Sequence, residues 1–383
     1  MIFRILEDQV ADKIHQAKAS DLRFMKLALM LGRRGLGRTA PNPAVGAVIV
    51  NDGLIVGRGW TQPGGRPHAE VEALGRAGAA ARGATLYVTL EPCSHHGKTP
   101  PCADALIAAG IARVVSAIED PNPQVAGQGH ARLRAAGIRV DVGLCGAEAA
   151  HDHAGHIRRV RDGRPHVILK LAVSSDDKIA ATAGRPTAIT GEAARARVHL
   201  LRAQCDAILI GIRTALADDP LLTCRLPGME QRSPIRVVLD RALRLPGDSK
   251  LVHSARRTPL WLLASEVAEA AAAAKLGAAG AQIIHVADCA ATPGLDLPAA
   301  LRALAERGIT RLLVEGGARV ASSLVAAGLV DEVWLLRGAR PIGEGGVAAL
   351  DGLPLTAITD SPGFKIRASD TLGPDSLTIY ERS

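Results

Sequence analysis

Three side chains in the first third of this chain could hold a metal, and a fourth could do acid–base work beside it. They are His68, Cys93 and Cys102, with Glu70 two residues beyond the histidine. Two thiolates and a neutral imidazole satisfy three positions of a tetrahedral zinc and leave the fourth open to water. Zinc lowers the pKa of such a water towards about 7, which makes hydroxide available at neutral pH. Glu70 then has a task that a ligand could not perform. It can take the proton from the water and pass it to a ring nitrogen and a departing amine.

The spacing sharpens this chemistry. His68-Ala69-Glu70 opens a predicted helix, Pro92-Cys93 follows a predicted strand, and Pro101-Cys102 opens another helix. H-x-E followed by P-C and a second Cys is the signature of zinc-dependent base deaminases, in which the Glu is not a ligand. Placing both cysteines near helix N-termini favours their thiolate forms. The competing reading is a closed structural zinc site, with His95 or His96 as fourth ligand. It leaves Glu70 without a role.

The elements that must position these residues alternate between strand and helix. Apolar spacing predicts a helix from Asp21, as N-cap, to about residue 36. Asn51-Asp52-Gly53 predicts a hairpin between strands at 45–50 and 54–57. Helices follow at 69–77, 101–109 and 129–136, and strands at 85–90, 113–118 and 138–142. Around 151–165 the text turns polar and basic and closes on Gly163 and Pro165, which marks a domain boundary. His151, His153 and His156 in this stretch read as a solvated face rather than a second metal site. Beyond it, strands are expected at 166–173, 207–211, 236–240, 260–264, 311–315 and 331–336. Helices are expected at 192–204, 266–280 and 318–327. Such alternation implies a layered α/β fold, and 383 residues are more than one core usually organises.

Composition narrows the partners. The net charge is +8, but the basic residues are dispersed and aromatics make up only 2%. That is too few for a base-stacking platform. A small phosphorylated ligand is expected, and no nucleic acid. No apolar run approaches the roughly 20 residues of a membrane span, and the first residues lack the pattern of a signal peptide. A cytoplasmic enzyme without membrane attachment is expected. Six sparse cysteines do not form a disulfide framework.

In the second half, no G-x-G-x-x-G follows a strand. The best local clue is a strand running into Glu315-Gly316-Gly317 and then a helix. Glycines allow a phosphate to approach the backbone, and a helix N-terminus attracts anions. Taken alone, the pair of glycines is more often a plain strand–helix turn.

Eight residues, S-H-H-G-K-T-P-P, separate Cys93 from Cys102, where simple deaminases have two. Together with T-A-P-N-P-A-V-G at 39–46 and E-D-P-N-P at 119–123, this stretch resembles the riboflavin-biosynthesis bifunctional deaminase–reductases. The resemblance covers roughly residues 21–383. It includes L-K-L-A-V-S-S-D-D-K-I-A (169–180), L-L-R-A-Q-C-D-A-I-L-I-G (200–211), T-A-L-A-D-D-P-L-L-T-C-R (214–225) and V-E-G-G-A-R-V-A-S-S-L (314–324). It implies a cytidine-deaminase-like α/β/α domain at 21–160, after an extension at 1–20, and a dihydrofolate-reductase-like α/β domain at 161–383. The implied activities are zinc-dependent deamination of a diaminopyrimidinone ribosylamine phosphate, then NADPH-dependent reduction of its ribosyl to a ribityl chain. A homodimer joined through the reductase domain is also implied.

Carried over by position, Asn42 and Lys98 contact the deaminase substrate. Lys98 would meet its negative charge. Ala172, Thr214, Asp218 and the turn Gly316, Gly317, Ala318, Arg319 hold NADPH. Arg202, Leu222, Arg225 and Glu315 hold the reductase substrate, and two arginines suit a bidentate grip on phosphate.

The chain departs from the family in places. Thr61 stands where the family has a histidine, and the S-L-D-G motif is here Ser174-Ser175-Asp176-Asp177. Pro186 and Ala188 replace a substrate-binding serine and a cofactor-packing tryptophan, and Arg241 follows Asp240 where the family often has Ser or Thr. Arg241 would add charge near the NADPH 2′-phosphate or face solvent. These losses motivate an alternative, a deaminase whose reductase-like half only binds or assembles.

Overall fold

A computed structural model describes residues 19–97, 99–123, 125–182, 187–290 and 293–383. The first helix is described over 19–33, α1. Asp21 lies inside it rather than capping it. Its carboxylate accepts from the Tyr87 hydroxyl at 2.6 Å and pairs with the Arg113 guanidinium at 2.7 and 2.9 Å. A charge partner across the sheet has outcompeted the local cap.

Asp52 and Gly53 both take positive φ, 47° and 77°, as a tight hairpin turn requires. They join β1 (Gly46–Asn51) to β2 (Leu54–Trp60). Then come α2 (Ala69–Ala77), β3 (Thr85–Val88), α3 (Cys102–Ala109), β4 (Arg113–Ser116), α4 (Gln128–Ala135) and β5 (Arg139–Val142). The sheet order is β2-β1-β3-β4-β5, with β1 antiparallel to both neighbours and β3, β4 and β5 parallel. Side chains alternate across it. Ala47, Ile49, Leu86 and Val88 pack with Ala69, Ala73 and Leu106 on one face. Val48, Val50 and Tyr87 pack with Phe24, Met25 and Ala28 of α1 on the other. The unit is therefore three layers, α/β/α. Gly57 and Gly59 let α2 lie directly on β2, because a Cβ at either would sit 2.3–2.4 Å from the Ala73 or Ala69 carbonyl. The close approach fixes the start of α2, where His68 and Glu70 lie.

The polar stretch near 151–165 is helical as far as Asp162. It contains α5 (Gly146–Asp152) and α6 (Ala154–Asp162), and the chain divides into two compact units after Asp162. The expected solvated face also needs correction. His153 is buried, with Nε2 3.1 Å from the Thr89 hydroxyl, while His151 and His156 are half-buried.

The second unit runs β6 (His166–Val173), β7 (Lys178–Ala180), α7 (Glu192–Ala203), β8 (Ala207–Gly211), α8 (Ile212–Asp218) and β9 (Ile235–Leu239). It continues with α9 (Lys250–His253), β10 (Leu260–Ser265), α10 (Ala270–Ala278), β11 (Gln282–Val286), α11 (Leu297–Glu306) and β12 (Arg311–Val314). It closes with α12 (Ala318–Ala326), β13 (Glu332–Arg337), β14 (Val347–Ala348), α13 (Thr356–Thr359), β15 (Phe364–Leu372) and β16 (Asp375–Arg382). Nine strands form one sheet, β11-β10-β9-β8-β12-β6-β13-β16-β15, and β7 and β14 pair separately. The seven strands from β11 to β13 are parallel, and the terminal hairpin β15–β16 adds the antiparallel edge. The parallel strands are apolar on both faces, as helices on both sides demand. Val167, Leu169 and Leu312 face α11 and α12; Ile168, Ile208 and Leu313 face α7 and α9. Both halves are α/β, as the alternation predicts. Periodicity did not predict α8, β11, α11 or the terminal hairpin.

Candidate active sites

His68 is the extended N-cap residue of α2 and Cys102 the first residue of α3. Cys93 opens no helix; it follows β3 in an irregular segment. Its sulfur nevertheless reaches the N-terminus of α3, where the Cys102 N–H donates to it at 3.2 Å. The His68 Nδ1 lies 3.7 Å from Cys93 Sγ and 3.3 Å from Cys102 Sγ. A tetrahedral zinc with Zn–S of about 2.3 Å and Zn–N of about 2.05 Å separates its S and N ligands by about 3.6 Å. Both N···S separations thus fit those zinc requires, and all three donors lie within 4.8 Å of one another. His95 and His96 are exposed and do not join the group, so among the described residues no fourth protein ligand closes the site.

Glu70 is 3% exposed on the first turn of α2. Burial, reinforced by the neighbouring Cys93 sulfur, pushes its carboxyl up to about 7. The Cys102 thiol draws Cys93 down to about 4 by hydrogen bonding to it, with His68 adding to the effect. Cys102 is pushed up as the donor of that pair. The centre therefore offers a carboxyl that titrates near neutrality beside a thiolate at Cys93 and a thiol at Cys102.

Other expected deaminase residues frame this centre. Asn42 donates through Nδ2 to the Gly65 carbonyl at 2.8 Å and so holds the loop that leads to His68. Thr61 is buried, and its hydroxyl accepts from the Val45 N–H at 3.0 Å. That bond is spent on the backbone. Lys98 lies outside the described residues. Arg66, which no motif singled out, donates to the Thr99 hydroxyl at 2.7 Å, and the same nitrogen is 3.4 Å from His68 Nε2.

The second unit contains a cavity of about 1730 Å³. Its lining includes Ala172 at the end of β6, Thr214 and Asp218 on α8, Arg202 on α7, Arg225, and the turn from Glu315 to Arg319. Leu222 is not among the lining residues. Its side chain is buried in the hydrophobic core and its backbone takes φ 54°. Its neighbour Thr223 instead offers a carbonyl to Arg202 at 3.0 Å. Two helices begin at the cavity, α8 after Gly211 and α12 after Gly317, and neither has a side-chain cap. The Gly317 N–H donates to the Thr214 hydroxyl at 3.0 Å. Uncapped N–H groups and glycines at two helix starts suit the phosphates of a dinucleotide.

A buried ion pair crosses the cavity wall. Arg202 donates from Nε and Nη2 to the two Glu315 oxygens at 2.7 and 3.0 Å, and Lys170 Nζ lies 3.9 Å from the same carboxylate. Burial would raise the Glu315 pKa, but Arg202 and Lys170 outweigh it and hold it at about 2. The bidentate grip expected of Arg202 is made here on Glu315. Its fork is occupied by Glu315, and Arg225, exposed at the cavity, has no side-chain ion pair among the described residues. Lys170 was missed because a single Lys in an apolar strand carries no motif.

The departures can be located. Asp177 adopts φ 65°, the conformation glycine would supply, which Asp tolerates better than most residues. Ala188 lines the cavity, and Pro186 lies outside the described residues. Arg241 also lines it and pairs bidentately with Asp288 at 2.7 and 2.8 Å.

Residues 165–378 match the RibD C-terminal domain family, and residues 18–118 match the cytidine and deoxycytidylate deaminase zinc-binding region. The chain is 43% identical over 369 residues to the riboflavin biosynthesis protein RibD of Escherichia coli, covering 93% of this chain and 97% of that one. It is 39% identical over 362 residues to that of Aquifex aeolicus, covering 94% and 98%. Among solved structures, Acinetobacter baumannii RibD superposes with a TM-score of 0.84 at 35% identity, over 96% of this chain and 99% of that one. A Thermotoga maritima diaminohydroxyphosphoribosylaminopyrimidine deaminase/5-amino-6-(5-phosphoribosylamino)uracil reductase gives 0.83 at 36%, over 96% and 100%.

Proposed function

The chain belongs to the RibD family of bifunctional riboflavin-biosynthesis deaminase–reductases, and from that premise we propose how its own residues divide the two reactions. His68, Cys93 and Cys102 hold zinc, and the observation that carries this assignment is the 3.3–3.7 Å spacing of their donor atoms. Bound zinc supplies a Lewis acid and a water acidic enough to attack the ring carbon. Glu70 would take one proton from that water and deliver it to the ring nitrogen. It would then take the second from the hydroxyl newly formed on the ring carbon and deliver it to the amine, which leaves as ammonia as the carbonyl forms. A pKa near 7 suits a group that must both accept and donate. Asn42 and Lys98 orient the substrate.

The reductase acts in the second cavity. Bound NADPH supplies the hydride. Ala172, Thr214, Asp218 and the Gly316–Arg319 turn place the cofactor, with Thr214 bonded to the turn it supports. Arg225 takes the ribose phosphate of the substrate. Glu315 and Arg202 fix the wall against which the ribosyl chain lies. The reading of the second half as a mere binding module is not favoured, since the cavity keeps a glycine-lined helix start, an exposed arginine and a satisfied ion pair. The purified protein, given the diaminopyrimidinone ribosylamine phosphate and NADPH, should release ammonia and then lose NADPH absorbance. Ammonia without NADPH oxidation would revive the deaminase-only reading. Neither signal, with zinc bound, would sink the proposal.

The partner is a small phosphorylated pyrimidine, and the enzyme works as a homodimer through its reductase unit. In support, β15 is a nine-residue edge strand with seven consecutive exposed residues, and Ile366 on it is 63% exposed. A long edge of this kind pairs with another chain unless it is protected. Ile366→Glu should shift the protein from dimer to monomer in light scattering, and an unmoved mass would exclude this edge. Six free thiols and a thiolate metal site suit a reducing compartment, and we place the enzyme in the cytoplasm.

A further inference from the structure

Glu91, two residues before Cys93, is buried, and all its acceptor capacity goes to backbone. Its Oε2 accepts from the Asp120 N–H at 3.0 Å and the Gly127 N–H at 2.9 Å. Its Oε1 accepts from the Gly129 N–H at 2.7 Å and the His130 N–H at 3.2 Å. A carboxylate offers about four lone-pair sites, so none is left over. Three of the four donors belong to the start of α4, whose first N–H groups have no partner within the helix. The negative charge also suits that end of the helix dipole.

The same helix grips the metal centre at three further points. Gly129 packs so closely on the Pro92 carbonyl that a Cβ there would lie 2.0 Å from the oxygen. Arg132 donates to the Ser94 carbonyl at 3.2 Å, on the other side of Cys93. The Arg132 guanidinium also pairs at 2.6 Å with Asp104 on α3, the helix that Cys102 opens. One helix of eight residues thus brackets Cys93 from both sides and reaches the helix that carries Cys102.

We propose that Glu91 is the positioning residue of the metal centre: it bolts the peptide ending in Cys93 to α4 and thereby sets how tightly the thiolate pair retains the metal. The inference rests on the zinc assignment above. Glu91 touches neither metal nor substrate and acts only through Cys93. Outer partners of metal ligands typically govern affinity by roughly 10- to 100-fold.

The test uses the full-length zinc-loaded chain. Zinc release to a chromogenic chelator is timed for the parent, Glu91→Gln and Arg132→Ala. Cobalt-substituted samples report the ligand field through their visible absorption, which a purely structural role far from the ligands would not move. Hydrogen exchange of the first unit's sheet, β1 to β5, reports folding of the unit that carries Glu91. Glu91→Gln keeps the shape but replaces one acceptor oxygen by a donor. It should release zinc at least tenfold faster and shift the cobalt bands, with exchange protection of that sheet unchanged. Arg132→Ala, which frees the Ser94 carbonyl and Asp104, should accelerate release severalfold. Parent-like release and an unmoved cobalt spectrum in Glu91→Gln overturn the proposal. If Glu91→Gln also loses that protection, Arg132→Ala decides alone, and parent-like release there overturns it. A parent protein that takes up no zinc would instead refute the metal assignment itself.

Discussion

Glu70→Gln should leave zinc bound and slow ammonia release by roughly 100- to 10,000-fold, the range over which a positioned acid–base group contributes. The amide has nearly the shape of the carboxylate but cannot carry the proton between water, ring nitrogen and amine. Because Glu70 is almost fully buried, bulk buffer cannot readily replace it. The same variant, given the deaminated intermediate, should oxidise NADPH at the parental rate, since its lesion lies in the first unit. Zinc content, ammonia release and NADPH oxidation measured together isolate the effect. Ammonia release within tenfold of the parent would remove Glu70 from the proton path.

The second large effect concerns the buried pair in the reductase. Glu315→Gln leaves Arg202 and Lys170 facing each other without the carboxylate that compensates both. The Arg202 and Glu315 side chains are only 12% and 10% exposed. Removing one partner from such a pair costs about 3–5 kcal/mol. For a unit of this size that lowers the melting temperature by about 10 °C, and NADPH oxidation should fall with it. The pH dependence has a definite sign. Glu315 has its folded-state pKa near 2, below its ordinary 4.5. Its contribution is therefore full above pH 4.5 and is lost as the pH falls from there towards 2. The gap in melting temperature between parent and variant should narrow over that window. A variant that melts with the parent at pH 7 would show the pair to be dispensable.

The two sites differ in how far the sequence exposes them. The deaminase centre is legible because zinc restricts both ligand type and number, and because His68 and Glu70 are adjacent on one helix turn. Only the reach of the Cys93 sulfur to α3 needed three dimensions. The reductase pair is illegible from periodicity. Arg202 and Glu315 are 113 residues apart, and nothing local to α7 or β12 announces that they meet. Burial likewise overrode the polar look of His153. The terminal hairpin hides behind Gly373-Pro374, which reads as a loop yet turns β15 into β16, with Gly373 at φ 68°. For α11 the signals were local. The Asp296 carboxylate caps the Ala299 N–H at 2.7 Å and Pro298 lies in the first turn. The turn signal Pro293-Gly294 just before it masks that start.

The segment between the two cysteines has an evolutionary consequence. The sulfurs are anchored by α3 and α4, outside the residues that join them, and His95, His96, Gly97, Thr99 and Pro100 are exposed. Lengthening such a joining segment from two residues to eight adds about 1.2 kcal/mol of closure entropy, two doublings at about 0.6 each. An ancestral base deaminase could therefore acquire an insertion here, and natural selection could rewrite it for a new substrate, while the inorganic core passed unchanged from one descendant to the next.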